Sequence, residues 1–103
     1  MQTTKPNTRA QFLPLDSRHY GATRDAAAFL TTPEMFALIG RHRTGDWGEV
    51  CASDAAANDA SLMDGSRVLS SYTVRGEQVW IITDAADDNG ERLATTILTP
   101  EEY

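Results

Sequence analysis

Three features of the sequence predict an α+β fold. Segments with helix-cap residues and helical spacing occupy residues 23–63, and segments rich in β-branched and aromatic residues occupy 67–99. Short turn signals, Arg75-Gly76-Glu77 and Asn89-Gly90, punctuate the second region. The expected architecture is two or three N-terminal helices packed on one face of a three-stranded antiparallel sheet. With 103 residues the chain is one domain, large enough for a single core. Residues 1–10 read as a flexible tail and 11–103 as the domain.

Each element has its own justification. The first ten residues are polar and include Lys5-Pro6-Asn7, the composition of a loose tail. In QFLPLDSRHYGA the apolar Phe12 and Leu15 are interrupted by Pro14, which suits an edge strand or an extended arm. TRDAAAFL is a short helix with Thr23 as N-cap and Asp25 in the first turn, where the helix dipole favours an acid. TTPEMFALIGRHRTG is the clearest helix, with Thr32 as N-cap, Pro33 at the first helical position and Gly45 as a left-handed C-cap. Met35, Leu38, Ile39 and His42 share one face of it, and Arg41 and Arg43 lie beside its last carbonyls. A third helix starts at Ser53 as cap and ends near Met63, before Asp64-Gly65. Its alanines 55, 56, 57 and 60 allow close, shallow packing.

RVLSSYTV (67–74), QVWIIT (78–83) and LATTILT (93–99) are the strands. The Arg75-Gly76-Glu77 break makes the first two a hairpin. The second is apolar on both faces and belongs in the middle of the sheet. DAADDNGER is a long acidic loop before the third.

Composition narrows the function. At 41% hydrophobic and 23% charged the chain is globular, and it shows neither a signal-peptide segment nor an apolar run of membrane-spanning length. One cysteine, Cys51, excludes an internal disulfide and a cysteine-based metal motif. A cytoplasmic, membrane-free protein is the expectation. The net charge of −6 is uneven: residues 1–43 carry six Lys/Arg against three Asp/Glu, and 44–103 carry three against twelve. A nucleic-acid binder needs a basic surface, and here one would have to come from Arg9, Arg18, Arg24, Arg41 and Arg43. The acidic half repels nucleic acid and attracts basic protein surfaces, so a protein partner, or a second copy of the chain, is expected instead of direct nucleic-acid binding.

RHRTGDWGEV, residues 41–50, is the densest cluster of functional side chains. His42 is either a general acid–base oriented by Asp46 or by a strand residue, or an inward histidine hydrogen-bonded near its helix end; the apolar face favours the second. Trp47, held between glycines, is either an interface anchor or cover for the core edge. Arg41 and His42 opposite Ser70, Ser71, Tyr72, Thr83, Thr95 and Thr96 would resemble a metal-independent ribonuclease arrangement, although strand propensity accounts for those hydroxyls more simply and is the favoured reading. Asp46, Glu49, Asp54, Asp59 and Asp64 lack the spacing of a calcium loop, and Asn58 and Asp59 read as a solvated face. Cys51 has no basic neighbour to activate it. We assign no catalytic residue, metal ligand or cofactor, and take Arg41, His42, Asp46, Trp47, Tyr72, Asp87 and Asp88 as candidate binding residues.

Taken in order, Arg41-His42, Gly45 to Gly48, Asp54 and Asn58, Arg67 with Ser70 to Tyr72, Trp80 to Thr83, and Thr95 to Tyr103 form a pattern. In it the chain resembles a small uncharacterised bacterial family carried on plasmids, integrated elements and phages. The resemblance covers about residues 40–103, and the DAADDNGERLA loop is longer and more acidic than the family's short turn. Members are often labelled plasmid-related proteins, or a type I restriction subunit, for whose methyltransferase domain this chain has no room. The resemblance implies a mobile-element setting. In that setting a small acidic binding protein is expected to inhibit a host defence complex of the anti-CRISPR or anti-restriction type, and a small ribonuclease or toxin is the alternative.

Overall fold

The computed structural model describes residues 15–103. The expected tail at 1–10, Arg9, and Phe12 and Pro14 of the expected edge segment lie outside the described residues. Strand β1 (Ser17–Ala22) comes first, followed by helices α1 (Arg24–Phe29), α2 (Thr32–Arg43) and α3 (Ala52–Asp64). Strands β2 (Val68–Val74), β3 (Glu77–Thr83) and β4 (Arg92–Leu98) come next, then a 3-10 turn (Pro100–Glu102).

The α+β class holds, but the sheet has four strands in the order β1-β4-β3-β2, and β1 runs parallel to β4. The segment read as an edge strand or extended arm thus does supply an edge strand, from Ser17, which the expected three-stranded antiparallel sheet did not count. Its residues, Ser-Arg-His-Tyr-Gly-Ala, are half-buried at the two ends and exposed between them, so no alternation of apolar residues marked its membership of the sheet. The antiparallel part is as expected: Val74 pairs with Glu77 across an Arg75-Gly76 turn, and β3 is an inner strand. Both turn residues have positive φ, 48° and 84°, the geometry of a two-residue type I′ hairpin.

The caps shift by a residue or two. Thr31, not Thr32, caps α2: its hydroxyl accepts from Glu34 N, and the Glu34 carboxylate accepts from Thr31 N, which makes a capping box. At the other end Gly45 N donates to the His42 carbonyl and Asp46 N to the Arg41 carbonyl, a Schellman closure that needs Gly45 at φ 87°. Cys51 rather than Ser53 precedes α3, whose end is closed by left-handed Gly65. Thr23 caps α1 in position only, because its hydroxyl turns to Glu102, and the Glu102 carboxylate accepts from Asp25 N at 3.0 Å. The end of the described chain thereby caps its first helix.

The main core joins Ala26, Leu30 and Leu38 of the helical segment to Tyr72, Val79, Ile81 and Ile97 on one sheet face. A second cluster, Leu15, Trp47, Leu62 and Val68, sits where α3 meets β2. Full burial of each large apolar side chain contributes about 2 kcal/mol. The two sheet edges differ. At β2, Ser71 N donates to the Trp47 carbonyl (3.1 Å), Glu49 N donates to the Ser71 carbonyl (2.7 Å), and the Asn58 amide pairs with the Leu69 backbone. At β1, Thr23 N donates to the Ile97 carbonyl, and backbone groups along a strand alternate in direction. His19 and Gly21 thus face β4, and Arg18, Tyr20 and Ala22 turn their backbone groups outward. Among the described residues nothing pairs with that outer edge.

Candidate functional site

The residues of RHRTGDWGEV converge on the sheet, but they do so inside the protein. His42 leaves the last turn of α2 toward the sheet and is 0% exposed. Its Nδ1 lies 2.6 Å from Ser70 Oγ on β2 and its Nε2 2.8 Å from Thr83 Oγ1 on β3. Thr83 Oγ1 lies 2.9 Å from Thr95 Oγ1 on β4, which lies 2.9 Å from Ser17 Oγ on β1. Strand alternation explains the selection: Thr83 and Thr95 are directly paired, whereas Ser71 and Thr96, paired with Trp80 and Ile82, lie on the other face. The Trp47 ring closes over His42 edge-on at 5.9 Å, and its indole N–H donates to Asp59 at 3.0 Å.

Arg41 and Asp46 form the outer layer. The guanidinium makes two hydrogen bonds to the carboxylate, at 2.6 and 3.2 Å, and stacks on the Tyr72 ring at 4.6 Å. The Tyr72 phenol donates to the Asp46 carbonyl at 2.6 Å, and the Asp46 carboxylate accepts from Gly48 N. The hydrogen-bonded Arg41 holds the Asp46 carboxyl below its ordinary pKa, while burial pushes the Tyr72 phenol up to about 12. Five of the seven candidate residues, Arg41, His42, Asp46, Trp47 and Tyr72, are therefore one cluster in which each tethers another. Asp87 and Asp88 stand apart in the β3–β4 loop. Asp87 accepts from Asn89 N and Glu91 N to shape that loop, and Asp88 is exposed.

Two structural residues escaped the sequence reading. Asn58, expected on a solvated face, is buried as the clamp on β2, and Asp59 beside it accepts from Trp47. Arg92 is 3% exposed and donates to the carbonyls of Ser61 (2.9 Å), Ser66 (2.8 Å) and Asp84 (3.0 Å). The C-terminal dipole of α3 balances this buried cation. Three of the cations considered for a basic patch are paired: Arg18 with Glu91, Arg41 with Asp46 and Arg43 with Asp16. Cys51 is exposed. Among the described residues no three His, Cys, Asp or Glu side chains gather to hold a metal, and no helix is long and apolar enough to cross a membrane.

Burial, followed by the charge of Arg92, lowers the His42 pKa from 6.5 to about 4. As pH falls below 6.5 the unfolded chain binds a proton that folded His42 refuses, so stability declines until about pH 4 and then levels off. The expected loss over that window is about 3 kcal/mol. Glu34, Asp46, Asp64 and Glu102, all with lowered pKa values, lose their contributions only in a more acid window, below the ordinary carboxylate values. Urea unfolding at pH 7 and pH 4.5 should show the His42 loss in the natural protein, and His42→Gln should flatten it. An unchanged slope in that variant would assign the loss elsewhere.

The open surface lies elsewhere. A groove of about 330 Å³ runs between β1 and α2, with Tyr20, Ala22, Ala27, Met35, Phe36 and Ile39 among its walls. Phe36 is 71% exposed and Tyr20 41%. The sequence held a signal for this: Phe36 lies off the Met35, Leu38, Ile39, His42 face of its helix, where an aromatic ring has no core to enter. No protein-family model, curated protein or solved structure matches the chain.

Proposed function

We propose that the protein is a non-enzymatic binding protein of a mobile element that inhibits a host defence complex of CRISPR or restriction type, engaging it through the β1–α2 groove. The observation that carries the binding reading is Phe36, an aromatic ring left 71% exposed beside a strand edge that no described residue pairs with. Exposed aromatic anchors of this kind supply a large share of interface energy. The mobile-element setting comes from the motif resemblance, and the acidity of residues 44–103 suits a target with a basic surface.

The ribonuclease alternative has convergence in its favour, since His42 does meet sheet hydroxyls, but it lacks access. Neither nitrogen of His42 is free to meet a phosphate, and Arg41 is turned to Asp46 and Tyr72.

The test pairs capture with protection. Tagged protein should recover a defence-complex component from host lysate and raise phage or plasmid survival in a defended host. Phe36→Glu, at an exposed position, should weaken both at least about tenfold without lowering Tm. Recovery of no such component together with no protection would overturn the proposal. RNA degraded by the natural protein but not by His42→Gln would replace it with the ribonuclease reading.

A further inference from the structure

The open edge of β1 is symmetric in a way that a single chain does not use. Its outward backbone groups belong to Arg18, Tyr20 and Ala22, evenly spaced about Tyr20. Just outside the strand, at equal distances from that centre, stand opposite charges, Asp16 on one side and Arg24 on the other.

Three residues here lack a reason within one chain. Arg24 is exposed and, among the described residues, its guanidinium has no ion-pair partner, although it opens α1, where the helix dipole disfavours a cation. Asp16 accepts from the Tyr20 phenol and lies 3.4 Å from Arg43, both through Oδ1. Its Oδ2 has no partner among the described residues, and the side chain is 69% exposed. Gly21 has no left-handed φ and nothing within 4 Å of an added Cβ, so neither conformation nor crowding calls for a glycine. A glycine inside a strand suits the close approach of another backbone.

We infer that β1 pairs antiparallel with β1 of a second copy about a two-fold axis through Tyr20, which joins two four-stranded sheets into one. In that register Tyr20 faces the partner's Tyr20, and Arg18 faces the partner's Ala22. Every outward residue of the strand then meets another, for about six backbone hydrogen bonds. Asp16 lies opposite the partner's Arg24, twice by symmetry, and His19 opposite the partner's Gly21, where the missing side chain leaves room for the imidazole. Nearby registers do worse. An axis at Arg18 sets that cation against its own copy, and one at Gly21 sets Arg18 against the partner's Arg24. An axis at His19 leaves Asp16 opposite the partner's Ala22, with the charge pair unmade. The occupant is a second copy because charges, glycine and outward groups all map onto one another by a single rotation. This pairing goes beyond target engagement and does not rest on it: it uses the strand edge and sets two β1–α2 grooves side by side across the axis.

Sedimentation equilibrium of the whole protein in low salt tests the pairing. The natural protein should show twice the 11.3 kDa mass of one chain. Asp16→Arg and Arg24→Asp each oppose like charges at two places and should weaken pairing at least about tenfold. Mixed in equal amounts, the two variants should recover the dimer, because one supplies two cations and the other two carboxylates. Mixing cannot repair a folding defect, so recovery reports the contact itself. Arg18→Pro removes an outward N–H while the β1–β4 ladder keeps its bonds, and it should also give monomer. A natural protein that sediments as a monomer would overturn the inference. So would a folded Arg18→Pro protein that pairs normally, or a mixture no more associated than its components. If Asp16→Arg does not fold, Arg24→Asp and Arg18→Pro decide.

Discussion

Gly48→Ala should remove a large part of the stability of the protein. An added Cβ would lie 2.0 Å from the Ser71 carbonyl oxygen and 2.7 and 2.9 Å from two Tyr72 ring atoms. The backbone cannot yield cheaply, because Gly48 bridges to Ser71 between two hydrogen bonds, Ser71 N to Trp47 O and Glu49 N to Ser71 O. Its φ of 72° adds a further 1 kcal/mol or so for any residue with a side chain. Relief would require the 47–49 segment to lift from β2, uncovering Trp47 and the His42 ring beneath it. The expected cost is about 4 kcal/mol or more, a large part of the stability of a domain this size. Gly40→Ala is the control: it sits within α2 with nothing within 4 Å of its added Cβ, and should stabilise by up to about 1 kcal/mol. Circular dichroism and urea titration of the two variants should move in opposite directions. A Gly48→Ala protein of unchanged stability would show that the segment is not fixed where it lies.

Arg92→Met is the second large effect. The methionine fills most of the space but donates nothing to the Ser61, Ser66 and Asp84 carbonyls, which hold the end of α3 and the start of the β3–β4 loop. Gly65 N still donates to the Ser61 carbonyl, so the loss falls on two carbonyls, Ser66 and Asp84. At about 1.5 kcal/mol for each charge-assisted hydrogen bond lost at these part-buried carbonyls, the expected loss is about 3 kcal/mol, or roughly 12–24 °C in Tm. Arg92→Lys should recover part of it, because one ammonium cannot span three acceptors in the plane of a guanidinium. A loss below about 1 kcal/mol in Arg92→Met would mean that water takes over the carbonyls without penalty.

The parts of this fold legible in the sequence are those whose cause is local. The Arg75-Gly76 hairpin, the Gly45 and Gly65 helix ends and the inner position of β3 each depend on a few adjacent residues, and each is where the sequence placed it. The inward turn of His42 was legible too, since it falls seven residues after Met35 on one helical face. Strand β1 was legible only as an edge strand or extended arm; its parallel place beside β4 was not, because an exposed edge strand buries too little to show a period. Asn58 and Arg92 were hidden for another reason. Their partners are backbone groups of distant segments, and backbone groups leave no mark on a sequence. The hydroxyls show the limit most clearly: alternation separates Ser70 from Ser71, but only the cross-strand register reveals that Thr83 and Thr95 join Ser70 at one imidazole. The residues that looked most like a reactive centre are, in the fold, the ties that hold a helix to a sheet.

The unequal edges of the sheet set the valence of the molecule. With β2 covered by residues 47–49 and by Asn58, and β1 presenting the outward groups of Arg18, Tyr20 and Ala22, the described residues leave strand addition one point of attachment. A unit of valence one forms a pair and stops, whereas a unit with both edges open propagates without limit. Asn58 and the 47–49 segment therefore do more than pack against β2: they close that edge to the addition of a further strand.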